Sequence, residues 1–258
     1  MSGTVSPLRT TLASIWTWAM LGLAVAVTFP LVSFFRIVGW PFDRVNYIGG
    51  RIFRWVGLWT TMTTPRWKFS VRGTRPANPR LPYVVVANHE SFSDIMLLCH
   101  LPWEMKWLSK VELMRIPVLG WTMWMANDVG VKRGRARSAK EAILACHERL
   151  QQRCSVMMFP EGTRSLTEEM LPFKDGAFRL AIDAGVPILP LAIHGTRDAI
   201  AKHDWRINPA VAVVEILEPV QSTGKSTTQL KEEVRERIET ARNRLRLEMK
   251  GERRSAVS

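Results

Sequence analysis

Two long apolar stretches open the chain, and their patterns differ. From Thr10 to Phe35 no residue carries a charge, which predicts a helix long enough to cross a bilayer. Pro30 should kink or end that helix near its C-terminal side. A signal peptide fits less well, because the apolar part is too long, only Arg9 precedes it, and no small-x-small cleavage site follows. From Arg44 to Met62 the residues Val45, Ile48, Ile52, Val56 and Trp59 recur at three- and four-residue steps, with Arg44, Arg51 and Arg54 among them. That spacing predicts an amphipathic, interfacial helix. Together the two predict an N-terminal hydrophobic two-helix membrane anchor over residues 1–64. The competing reading is a buried helical hairpin in a soluble fold.

From Trp67 onward short apolar runs alternate with helical patterns. The runs Lys68–Arg72, Tyr83–Ala87, Met105–Ser109, Asp128–Lys132, Ser155–Phe159, Pro187–Ile193 and Val211–Leu217 read as strands. Helices are expected near Asp94–His100, Ser138–Gln152 and Asp175–Ala184, the second opened by a Ser138/Glu141 capping box. A last helix, Thr228–Met249, lines up Leu230, Val234, Ile238, Ala241 and Leu245 on one face. This alternation predicts an α/β fold with a mixed, mostly parallel central sheet flanked by helices. We expect one catalytic domain over 65–250 and a disordered tail over 251–258.

Composition narrows the partners. Lys and Arg number 36 against 23 Asp and Glu, a net charge of +13 that favours anionic partners without choosing among them. Ten of the eleven tryptophans lie in the first half, beside the most apolar segment, and indole partitions to the membrane–water boundary. Cys99, Cys146 and Cys154 form no CxxC pair and no zinc spacing, so they read as buried, reduced thiols. Gly224-Lys225-Ser226-Thr227 imitates the end of a phosphate-binding loop, but Pro219 stands where the earlier glycine is required.

The chemistry begins where the run Tyr83–Ala87 ends in NHESFSD. Residues five apart on one helix point about 140° away from each other, so His89 and Asp94 meet only if His89 ends the strand and Asp94 begins the next helix. Ser91 reads as that helix's N-cap. A carboxylate on one ring nitrogen fixes the histidine tautomer and makes the other nitrogen a better base. There is no G-x-S-x-G elbow in the chain, so such a base would act on a substrate hydroxyl. Alone, the spacing fits equally a capped turn with a surface histidine. A second strand, Ser155–Phe159, runs into FPEGTRS, whose Pro-Glu-Gly turn carries Glu161 and Arg164 to a strand's carboxyl end. Between the two motifs KVELMRIPVLG supplies Lys110, and VPILP follows at 186–190.

These four stretches, in this order, resemble the glycerolipid acyltransferase family, in particular its 1-acyl-glycerol-3-phosphate (lysophosphatidic acid) acyltransferases. The resemblance covers about residues 65–220. It implies that His89 is the general base and Asp94 its orienting partner. It implies that Lys110, Glu161, Gly162, Thr163 and Arg164 form the acceptor side, with Lys110 and Arg164 on the phosphate. The donor would be acyl-CoA or acyl-carrier protein, a co-substrate, with no cofactor and no metal. The expected partners are a membrane lipid acceptor and an anionic bilayer surface rather than nucleic acid, at the cytoplasmic side of the cell inner membrane.

Lys132, Arg133, Arg135, Arg137 and Lys140 form a basic run. It reads as a solvated loop, or as a contact for headgroups, for donor phosphates or for the acceptor itself. His100, His147, His194 and His203 have no carboxylate five residues on and read as structural. Rival functions are acylation of another lysophospholipid or of glycerol 3-phosphate, lipid hydrolysis with water as acceptor, and non-catalytic membrane or nucleic-acid binding.

Overall fold

In the computed structural model, which describes residues 7–255 apart from Pro79, Leu166 and Lys202, each predicted apolar run is a strand of one sheet. The strands are β1 (Trp67–Gly73), β2 (Val84–Ala87), β3 (Met105–Lys110), β4 (Val129–Val131), β5 (Ser155–Met158), β6 (Ile188–His194) and β7 (Ala210–Ile216). Their order across the sheet is β1-β7-β6-β2-β5-β3-β4. The five strands β6, β2, β5, β3 and β4 run parallel, and β7 pairs antiparallel with β6 while carrying β1 parallel to itself. Central β2 is buried along its whole length. Val84 and Val86 face one core and Val85 and Ala87 the other. A parallel strand covered on both faces requires a continuous apolar run rather than an alternating one.

Helices α5 (Ala136–Gln151), α6 (Gly176–Ala184) and α8 (Thr227–Ser255) cover one face of the sheet. The other face holds α3 (Asp94–Leu98), with α1 (Pro7–Val38), α2 (Tyr47–Met62) and α4 (Leu119–Met125) clustered around Val32, Phe53 and Met123. A short α7 (Thr196–Ala199) follows β6. Neither α4 nor α7 was anticipated, since seven and four residues are too few to display a helical period.

Several local expectations are corrected. Helix α1 does not end at Pro30 but runs on to Val38, because a proline deletes one backbone bond while the turns on either side keep theirs. Helix α5 starts at Ala136, so Ser138 lies inside it and caps nothing; its hydroxyl instead accepts the Lys132 amide at 3.0 Å. The N-cap of α3 is Ser93, not Ser91. Helix α8 continues to Ser255, so the segment expected to be disordered from Gly251 is helical that far. Residues 256–258 of that expected tail lie outside the described residues.

Helix α2 is amphipathic, but part of the stripe expected at the interface is buried: Ile52 and Val56 pack inside the protein. Arg54 points inward, donating to Asp128 Oδ1 at 2.6 Å, to Glu104 Oε1 at 3.3 Å and to the Met105 carbonyl at 2.9 Å. Lys106, also buried, joins Glu104 Oε1 at 2.9 Å and the Asn46 carbonyl at 3.0 Å. Gly50 makes this approach possible, since a Cβ there would sit 2.1 Å from Glu104 Oε1. Ile48, Trp55, Trp59 and Met62 are left on the outside. The helix therefore packs Ile52, Phe53 and Val56 inward beside Arg54 and keeps a second apolar face outward.

Candidate active site

The carboxyl ends of β2, β5, β3, β4 and β6 share one edge of the sheet, and the sequence motifs lie along it. At the end of β2, Asn88 extends the ladder with its side chain. Its Nδ2 donates to the Ile193 carbonyl at 2.9 Å and its Oδ1 accepts the Ile193 amide at 2.8 Å. This two-point tie to β6 fixes where the chain leaves the sheet, and so where His89 begins.

His89 and Asp94 meet as the spacing requires. His89 Nδ1 is 2.7 Å from Asp94 Oδ2, and the same oxygen accepts the amides of Glu90 at 2.8 Å and Ser91 at 3.1 Å. Asp94 Oδ1 accepts the Thr196 hydroxyl from the first residue of α7. An oxygen that already takes two backbone amides is an acceptor to the ring as well, so Nδ1 donates and the lone pair of the ring is left on Nε2. Nε2 makes no hydrogen bond among the described residues, and the side chain keeps 10% of its surface exposed. The ring stacks on Phe159, with centroids 4.0 Å apart.

Glu161 joins the two motifs. Its Oε1 accepts the His89 amide at 2.7 Å and its Oε2 accepts the Leu171 amide at 2.9 Å. Both oxygens are thereby engaged by the backbone. Burial raises its carboxyl above the ordinary range, and the two amides work against that rise. Gly162 closes the turn, donating its amide to the Phe159 carbonyl at 3.0 Å. Its φ of +72° favours glycine, and a Cβ there would also meet Lys174 Nζ at 2.7 Å. Thr163 is exposed, and Arg164 is half-buried.

Cations gather on the β5–β3–β4 side of His89. Lys110 ends β3 and sits 3.7 Å from Glu112. Arg133, just past β4, has its pKa lowered by burial and by the charge of Arg164, against the opposing pull of Glu112. Arg133 thus lies within electrostatic reach of both Arg164 and the Glu112 that pairs with Lys110. Beside them a 390 Å³ cavity has Leu108, Met158 and Phe159 among its apolar walls and Lys132, Arg133 and Lys174 among its cations. On the opposite face of the sheet, a 90 Å³ apolar cavity is lined by Phe92, Ile95, Ser109, Leu113 and Met123.

Sequence reading missed Thr196 and Phe159 and left Arg133 in a run of undecided role. A hydroxyl 102 residues from its carboxylate has no local signal. The two serines of the His89 turn are engaged by the backbone. Ser91 Oγ donates to the Ile200 carbonyl at 2.7 Å and Ser93 Oγ to the Thr196 carbonyl at 2.9 Å. Burial pushes the thiols of Cys99, Cys146 and Cys154 up to about 12, so none is a ready thiolate.

His89, oriented by Asp94, and a cluster of cations thus share the carboxyl edge of an α/β sheet. Residues 68–194 match the acyltransferase family, so the chain carries an acyltransferase domain. It is 40% identical over 141 residues to a 1-acyl-sn-glycerol-3-phosphate acyltransferase of Chlamydomonas reinhardtii, covering 54% of this chain and 42% of that protein. It is 35% identical over 159 residues to human 1-acyl-sn-glycerol-3-phosphate acyltransferase alpha, covering 61% of this chain and 56% of that one. The chain thus spans about half the length of the curated relatives it matches. The solved structure of PlsC, the 1-acyl-sn-glycerophosphate acyltransferase of Thermotoga maritima, superposes with a TM-score of 0.76 at 27% identity, covering 93% of this chain and 97% of that one.

Proposed function

We propose that this protein transfers a fatty acyl group from an acyl thioester to the sn-2 hydroxyl of 1-acyl-glycerol-3-phosphate, giving phosphatidic acid. The observation that carries the reading is the His89–Asp94 pair with Nε2 open, at the same sheet edge as Arg164, Arg133 and Lys110. The names of the relatives in Chlamydomonas, human and Thermotoga supply the acceptor.

In this mechanism the acceptor phosphate lies against Lys110, Arg133 and Arg164, which directs its hydroxyl toward His89. Nε2 takes the hydroxyl proton as the oxygen attacks the thioester carbonyl. The imidazolium that forms is stabilised by Asp94. Collapse of the tetrahedral intermediate breaks the C–S bond, and the leaving thiolate recovers the proton from Nε2. Transfer is direct, which agrees with the engagement of Ser91 and Ser93 by backbone carbonyls. A thioester is already activated, so the step as written calls on no cofactor. The apolar cavity beside Phe92 and Ile95 suits an acyl chain. Acyl-CoA and acyl-carrier protein both fit as donors.

Membrane attachment follows from the outward apolar surface. Helix α1 is long and apolar enough to cross a bilayer. Leu12, Trp16, Leu23, Val27 and Phe34 of α1 are exposed, as are Trp55 and Trp59 of α2 and Trp121 and Trp124 of α4. Such a surface is better solvated by lipid than by water. We assign the protein to the cytoplasmic side of the inner membrane, where a net charge of +13 faces anionic headgroups.

The test uses detergent-purified protein, lysophosphatidic acid and a labelled long-chain acyl thioester, with lysophosphatidylcholine as a second acceptor. Phosphatidic acid from wild type and none from His89→Ala is the expected result. Equal product from the variant would sink the mechanism, and product from lysophosphatidylcholine alone would sink the acceptor.

A further inference from the structure

His89 has a second group of cations on its other side. Where β6 ends against α8, a cavity of 130 Å³ is walled by Glu90, His194, Arg197, Arg242, Arg246 and Lys250. It lies on the β6 side of β2, whereas Lys110, Arg133 and Arg164 lie on the β5–β3–β4 side. No part of the proposed acyl transfer uses it.

Two buried guanidinium nitrogens at this cavity, Arg197 Nη2 and Arg246 Nε, have no hydrogen-bond partner among the described residues. His194 Nδ1 beside them has Glu90 Oε1 at 3.7 Å. Buried polar groups in folded proteins are nearly always satisfied, so the two guanidinium nitrogens around one cavity call for a common partner. The partner is an acceptor, because both are obligate donors. It is also anionic. The wall carries four permanent cations against the carboxylates Glu90, Glu168 and Asp198. Glu90 is taken by Arg242 Nε at 3.1 Å and Glu168 by Arg246 Nη1 at 2.9 Å.

The site is built rather than adventitious at the surface. Arg242 is 4% exposed, and its ion pair with Glu90 holds the guanidinium at the wall. Lys250 is exposed at the rim. The volume is that of roughly four water molecules at about 30 Å³ each, enough for a tetrahedral oxyanion. Planar guanidinium groups converging from α7 and α8 suit the several oxygens of phosphate better than a monatomic ion. We propose that this cavity is a second anion site, selective for phosphate or a phosphomonoester and separate from the Lys110/Arg133/Arg164 cluster.

Two sources offer that chemistry, free phosphate and the headgroup of a phosphomonoester lipid. The probe is inorganic phosphate, titrated calorimetrically into detergent-purified full chain at constant ionic strength. Arg164→Gln, which weakens the other cluster, should retain saturable phosphate binding. Adding Arg197→Gln and Arg246→Gln should weaken it about tenfold or more, the loss of charge-assisted bonds. Unchanged affinity in the triple variant, or no saturable binding in Arg164→Gln, overturns the proposal. A wild-type measurement guards against variants that misfold. Phosphate should slow amide hydrogen exchange in residues 194–198 and 242–250. Short-chain phosphatidic acid in mixed micelles forms the second arm. Protection by both probes assigns the site to lipid headgroups as well as free phosphate, and protection by inorganic phosphate alone assigns it to the free ion. Protection by neither overturns it. All these readouts are binding measurements, so failure of the acyltransferase reading leaves them unaffected.

Discussion

Glu161 accepts the backbone amide of His89 at 2.7 Å, so two motifs 72 residues apart form one unit. The orientation of the His89 turn after β2 is held by a carboxylate delivered from the turn after β5. Glu161→Gln keeps the shape but offers one acceptor where two are needed. Its amide NH₂ would confront a backbone N–H from either His89 or Leu171. A buried donor left unsatisfied costs about 1–3 kcal/mol. Urea denaturation should report a loss of that size, with kcat reduced through misplacement of His89. Wild-type stability in this variant would show that the link is not needed.

Asp94 gathers four donors, and that fixes what its amide analogue would do. In Asp94→Asn the oxygen should occupy the Oδ2 position, because the Glu90 and Ser91 amides exclude an NH₂ there. The Nδ1 contact would survive, but the negative charge that stabilises the imidazolium would be gone. We expect kcat to fall about 10²–10⁴-fold, the usual worth of general-base catalysis, with the KM for lysophosphatidic acid little changed. A variant with wild-type kcat would remove Asp94 from the mechanism.

The motifs were legible because each occupies one strand end. All seven strands show as apolar runs, and β2 and β5 carry their functional residues within seven positions of the last strand residue. What stayed hidden comes from distance or inversion. Thr196 reaches Asp94 across 102 residues. Arg54 sits on a helix whose spacing reads as interfacial, yet its charge is neutralised inside by Asp128 and Glu104. A one-dimensional pattern records how often apolar residues recur. It does not record which face meets protein and which meets lipid.

Arg133 should share in acceptor binding, although no motif includes it. Its side chain is exposed and reaches toward Arg164; partial burial together with that like charge lowers its pKa, and an acceptor phosphate between them would relieve the repulsion. A charge-assisted bond of about 1.5–3 kcal/mol corresponds to roughly 10–100-fold in affinity. Arg133→Gln should therefore raise the KM for lysophosphatidic acid by that factor while kcat at saturation holds. An unchanged KM would return Arg133 to the solvated loop.

Acid should weaken the fold through Glu90. Burial acts to raise its carboxyl, but His194 at 3.7 Å and the Arg242 ion pair outweigh burial and hold it below the ordinary carboxylate range. A depressed folded pKa contributes stability above the unfolded value, near about 4.3, and that contribution disappears as pH falls through the folded value. Glu90→Gln should therefore flatten the fall of Tm with pH below that point and cost stability at neutral pH. Parallel Tm curves for the two proteins would contradict this.

The buried charges beneath α2 give the most demanding prediction. Arg54 faces Asp128 and Glu104 with almost no solvent, and Lys106 shares the same Glu104 oxygen. Removing one member of such a network strands its partners, at about 3–5 kcal/mol, whereas removing the set can be close to neutral. Arg54→Met alone should be severely destabilised in chemical denaturation. Adding Asp128→Asn should recover part of the loss, since Lys106 still compensates Glu104. Recovery would mean that the arginine matters for charge balance rather than for its packing on Phe53 and Trp107, over whose rings it also lies. No recovery would assign the loss to packing, and the same pair of variants assayed in bilayers would then tell whether α2 detaches from the sheet or the sheet itself unfolds.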